Sequence, residues 1–147
     1  MGKTPEIFVA VSPVAVDNKN VESAYQKTMP KVVEKVITGA LAKAKSKGIV
    51  TKKPKSKDDS FFQLTPSLKV LKNIGKSGET KLRGEIAIGY AETKGGKILA
   101  KLVTITEGAT VSPGSPPPKN LDADYQAAVE AAAQGAIDKV LKKILGK

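Results

Sequence analysis

The chain has 147 residues and a formal net charge of +11, and 24 of its 25 basic side chains are lysine; the exception is Arg83. It contains no Cys, His or Trp, which removes disulfides, thiolate nucleophiles and the commonest general base and transition-metal ligand. Hydrophobic residues make up 40% but aromatics only 4%, so one domain-sized core must be built from Val, Ile, Leu and Ala.

Glu6 to Val16 reads as a first strand, with Ile7, Val9 and Val11 on one face and Phe8 and Ala10 on the other. Pro13 should bend it or keep it at an edge. The stretch is too short for a membrane span and lacks the charged n-region of a signal peptide. Met1-Gly2 followed by Glu6 also fails the myristoylation pattern. So abrupt a start would suit a mature domain whose export signal has been removed.

Asp17, Asn18 and Asn20 form a loop before a long helix over roughly Glu22 to Lys47. Its stripe is Val32, Val33, Val36, Ile37, Ala40, Leu41 and Ala44. Thr28 and Pro30 mark a cap or kink, so the regular helix could begin near Met29. Gly48 is a natural stop, and Lys43, Lys45 and Lys47 suit the negative end of the helix dipole.

Residues 51–60 (TKKPKSKDDS) read as a mobile basic loop. Three strands should follow as an antiparallel meander. Phe61 to Ile74 is interrupted by Pro66, which leaves Ser67 to Asn73 as its regular part. Lys81 to Glu92 alternates cleanly, and Lys97 to Glu107 follows the Gly95-Gly96 hairpin turn. Residues 111–120, with Pro116-Pro117-Pro118, form a semi-rigid spacer. The last helix, about Leu121 to Leu145, carries a stripe from Tyr125 through Ala128, Ala132 and Ala136 to Ile144. Asn120 or Asp122 is its expected cap. Its acidic first half and alanine-rich face place it against the domain rather than on a membrane surface.

The expected fold is a single α+β domain, a two-layer sandwich of order β-α-β-β-β-α. Its sheet should be mostly antiparallel, with both helices on one face. In that order, with Ala40 to Gly48 (ALAKAKSKG) closing the first helix and Gly95-Gly96 turning the meander, the chain resembles small bacterial envelope domains of the curli-secretion and penicillin-binding-protein-activator lipoprotein kind. The resemblance implies a non-catalytic binding or assembly role at the envelope. It also implies a periplasmic or cell-envelope location, with the cytoplasm left open. The lipoprotein cysteine of those families is missing here.

Charge is uneven along the chain. From Lys43 to Arg83 there are twelve basic and three acidic residues, whereas from Gly84 to Asp138 there are four and seven. Lys43, Lys45, Lys47, Lys52, Lys53, Lys55 and Lys57 are the candidate polyanion-binding residues, for nucleic acid, acidic polysaccharide or anionic headgroups. The competing account is a solvated, solubilising face, because the arginines and stacking aromatics of such sites are nearly absent.

Gly75 to Thr80 (GKSGET) lacks phosphate-loop spacing and leads into a strand, so it reads as a hairpin turn. Asp58-Asp59 could meet a hard cation but sits among lysines as charge compensation. No motif supports a Ser–Lys dyad, and no catalytic residue, metal ligand or cofactor is expected. The expected partners are a protein, a second copy of the chain paired through a sheet edge, or a nonspecific polyanion.

Overall fold

A computed structural model describes residues 6–56, 58–114 and 116–146. In chain order the described residues form β1 (Ile7–Val11), β2 (Ala15–Val16), α1 (Met29–Lys43), β3 (Ile49–Val50), β4 (Phe61–Asn73), β5 (Leu82–Lys94), β6 (Lys97–Ile98), β7 (Val103–Val111) and α2 (Asp122–Leu145), seven strands and two α-helices. The α+β content and the central antiparallel meander β4-β5-β7 follow the expectation. The sheet is nevertheless mixed, because β1 and β2 pair with β4 in parallel, and β1 pairs with β3 in parallel.

Pro66 does not break β4 as expected; the strand runs unbroken from Phe61 to Asn73. The backbone explains why. Leu64 O accepts from Ser12 N at 2.9 Å, and Leu68 O accepts from Asp17 N at 3.0 Å, both toward the N-terminal segment. Residue 66 lies two positions from each, so by strand alternation its missing N–H faces the same side. There Pro13 separates β1 from β2, and no ladder partner is left wanting. One proline thus sits opposite the gap made by another. Further along, a bulge at Lys69 shifts the register between Leu68 and Val70.

The first helix is shorter than its stripe. Thr28 makes no side-chain cap bond, and residues 44–47 tighten into a 3-10 turn that ends at Gly48, with φ at 99°. Only glycine adopts that left-handed conformation without strain. The third expected strand, Lys97 to Glu107, is in fact two pieces: β6 stops at Ile98, and β7 starts at Val103.

Both helices cover one face of the sheet. Val33, Ile37 and Leu41 of α1, Leu64, Leu68 and Leu71 of β4, and Ile86 and Ile88 of β5 share one buried cluster with Val129, Ile137 and Val140 of α2. Close approach of α2 depends on small residues: a Cβ at Gly84 would lie 3.2 Å from the Ala128 carbonyl carbon and oxygen. Asn120 does not cap α2 from the N-cap position; its Oδ1 accepts from Asp122 N at 2.8 Å.

The helices run parallel. Tyr25, just before α1, stacks on Tyr125 of α2 with ring centroids 4.4 Å apart. At their other ends Lys43 and Lys47 share a cleft with Leu141, Lys142 and Leu145. Strand directions agree, since β4 and β7 begin, and β5 ends, where the helices finish. The molecule therefore has two distinct ends, and the negative poles of both helix dipoles point to the same one.

Candidate surface site at the lysine-rich end

The seven candidate lysines do not form one cluster. Lys43 lies in the last turn of α1, and Lys45 and Lys47 lie in the following 3-10 turn. Lys43 and Lys47 line the cleft beside Lys142 and Asp138. Lys45 and Lys52 line a second cleft with Glu6 and Ile49. Lys53 and Lys55 line a third with Asp59, Phe61 and the Gly95-Gly96 turn. Lys57 falls outside the described residues. All six described lysines are exposed.

The topology brings these three clefts to the same end of the molecule. The ion pairs among the described residues are Lys81–Glu79, Arg83–Glu85 and Lys139–Glu107, and none involves those six lysines. Lys53 holds its ammonium 5.6 Å from the Phe61 ring centroid, a cation–π arrangement. Phe61 is therefore already faced by a lysine and partly buried at the start of β4.

Linear counting misplaced the rest of the charge. Lys72 and Lys81 belong to the opposite end, where Lys72 donates to Asn20 Oδ1 at 3.2 Å and Lys81 meets Glu79 at 3.2 Å. Conversely, Lys94 and Lys97 flank the Gly95-Gly96 turn beside Lys53 and Lys55, although they come from the net acidic stretch. That turn is a two-residue hairpin with φ of 58° and 81° at its glycines.

The segment between β6 and β7 adds residues that charge and motif do not single out. Ile98, Leu99, Leu102 and Val103 are 59%, 53%, 57% and 41% exposed. A continuous third strand would have turned half of them into the core. Instead the chain makes a last bond to β5, Leu99 N donating to Glu92 O at 2.8 Å, then leaves it and rejoins at Val103, opposite Tyr90. A Cβ at Gly89 would lie 3.5 Å from a methyl group of Leu102, so this leucine overhangs the helix-free face of the sheet. The signal available in the sequence is Lys101, which interrupts the apolar run from Ile98 to Val103.

The single arginine is not part of this end. Arg83 Nε donates to Glu85 Oε2 at 3.1 Å and Nη1 to Thr110 Oγ1 at 3.2 Å, with the guanidinium lying over Gly108. Its fork is committed to the sheet. Residues Gly75 to Thr80 form the β4–β5 turn, in which Asn73 Oδ1 accepts from Gly75 N and Lys81 N.

No protein-family model matches the chain, and no curated protein sequence matches it. Solved structures do resemble it. A hypothetical protein from Chlamydia trachomatis aligns with a TM-score of 0.61 at 8% identity, covering 96% of each chain. A minor lipoprotein from Acinetobacter baumannii gives 0.55 at 10% identity, over 95% of this chain and 92% of that one. The rare lipoprotein B from Shewanella oneidensis gives 0.52 at 15% identity, over 93% and 94%. The chain thus shares its fold, over nearly its whole length, with bacterial lipoproteins.

Proposed function

We propose that the protein is a non-catalytic binding or assembly domain of a bacterial envelope or surface complex, and that its contact surface is the lysine-rich end. The observation that carries this reading is the exposure of four large aliphatic side chains between Ile98 and Val103, next to lysines outside any ion pair. Contiguous apolar surface of this kind marks an interaction site. The shared fold with lipoproteins of Acinetobacter and Shewanella supports the envelope setting, and a chain without His or Cys supports a role other than catalysis.

Co-sedimentation with purified bacterial envelope fragments tests the proposal. The protein should pellet with them, and a Leu99→Ser/Leu102→Ser variant should remain largely in the supernatant. A wild-type protein that stays in the supernatant would remove the reading.

A second reading, nonspecific binding of nucleic acid or another polyanion, is favoured by the convergence of Lys45, Lys52, Lys53 and Lys55 on one end. It predicts a salt-dependent mobility shift with duplex DNA or heparin that is abolished in a Lys52→Glu/Lys53→Glu/Lys55→Glu variant.

A further inference from the structure

Two surface properties coincide at this end of the molecule, and each constrains what can cover it. The turn lysines Lys94 and Lys97, with Lys53 and Lys55 across the cleft, demand an anionic partner. Ile98, Leu99 and Leu102 demand an apolar one, since each leaves more than half of its surface in water. Lys101 lies in the same segment between β6 and β7 and is itself exposed.

Taking this end as the contact surface, we infer that its target is an anionic lipid surface. The lysines lie at the headgroups, and Ile98, Leu99 and Leu102 reach the boundary with the acyl chains. Lysine suits such a boundary, because its flexible stem lies along apolar material while its ammonium stays with phosphate. A bilayer offers negative charge and hydrocarbon within a few ångströms of each other, which matches the pairing of lysines with aliphatics on one hairpin.

Other occupants match less of the surface. Nucleic acid would use the lysines, but it meets exposed leucines chiefly as wedges between base steps, at the cost of unstacking them. It is read through arginine and stacking aromatics, yet Arg83 is held by Glu85 and Thr110 and Phe61 is faced by Lys53. A second copy of the chain placed end to end would set lysines against lysines. No helix among the described residues is long and apolar enough to cross a membrane.

Vesicle flotation tests the inference, with phosphatidylcholine alone, an equal mixture with phosphatidylglycerol, and duplex DNA in a parallel gel shift. The protein should float with the mixed vesicles and not with phosphatidylcholine. Leu99→Ser/Leu102→Ser and Lys94→Glu/Lys97→Glu should each weaken partitioning roughly tenfold. All four positions are exposed, so thermal melts should match wild type and separate lost docking from lost folding.

Failure to float, flotation with both vesicle types alike, or flotation indifferent to the serine variant would overturn the inference. So would a DNA shift without vesicle binding, which would instead support the polyanion reading. Pelleting with envelope fragments but not with vesicles would refute the lipid target and leave the binding function standing on a protein partner.

Discussion

At the scale of single residues, the end opposite the lysines is closed by four side chains. Tyr25 donates its hydroxyl to Asp122 Oδ1 at 2.6 Å, Tyr125 donates to Glu22 Oε2, and the two rings stack. Partial burial raises the Tyr25 hydroxyl to about 12, helped by its bond to Asp122. Burial and then Glu22 raise Tyr125 further. A raised acid pKa means that the folded state favours the neutral phenol. The contribution is therefore intact below the unfolded value of 10.0 and declines as pH climbs toward the folded one. Denaturant melts at stepped alkaline pH should show stability falling between about 10 and 12 in the wild type, with a shallower fall in Tyr25→Phe/Tyr125→Phe. At neutral pH each single phenylalanine variant should lose about 1 kcal/mol. Equal alkaline slopes would mean that the hydroxyls do not couple to folding.

Two glycines make opposite predictions, because one faces a wall and the other faces water. Gly84 lies under α2, where any side chain would meet the backbone of Ala128. Gly84→Val should cost ~1–3 kcal/mol in a urea melt by forcing helix from sheet. Gly39 sits inside α1 with nothing within 4 Å of its Cβ position. Gly39→Ala should stabilise by about 0.5–1 kcal/mol, by removing helix-interior glycine. A neutral Gly84→Val would refute the close packing of α2 on β5.

At the scale of elements, the helices and the central meander were legible in the sequence because their patterns are strongly periodic. Val33, Ile37 and Leu41 keep a spacing of four and are all buried on α1. Tyr125, Ala128, Val129, Ala132 and Ala136 do the same on α2. Local pattern failed where tertiary pairing decided the outcome. Pro66 looked like a break, but whether a proline interrupts a sheet depends on which neighbour its missing donor would have faced. That neighbour is a segment about fifty residues earlier, itself interrupted at Pro13. The parallel pairing of β1 and β2 with β4 is likewise a property of two distant segments. Apolar character alone drew the third strand straight through Ile98 to Val103, although the ladder with β5 ends at Ile98, with one further bond from Leu99 N to Glu92 O, and resumes at Val103.

At the scale of the whole molecule, parallel helices decide where charge gathers. With both C-termini at one end, Lys43, Lys47, Lys142 and Lys143 stand at two negative dipole poles together, and the loop lysines join them. Part of the lysine excess thus has a structural explanation that needs no ligand. The described remainder on the 51–60 loop and the β5–β6 hairpin stands at neither helix end, and only Lys53 among it has a partner, the Phe61 ring; it borders the exposed aliphatics. The candidate lysines were legible in the sequence, but their neighbours were not. A charge count along the chain joined Lys53 to Lys81, which lies at the far end, and separated it from Lys97, which lies close by. The preference of lysine over arginine fits a surface met by electrostatics and hydrophobic contact rather than by bidentate reading.

Because the chain has no cysteine, a single introduced thiol reports from one place. Leu99→Cys, carrying a polarity-sensitive fluorophore, tests most directly whether the lysine-rich end is the contact surface; Lys76→Cys in the opposite turn serves as the control. Mixed phosphatidylglycerol vesicles should shift the emission of the label at 99 to the blue and leave that at 76 unchanged, with the shift reversed by high salt. An equal shift at both positions, or a shift at 76 alone, would contradict the assignment of that end.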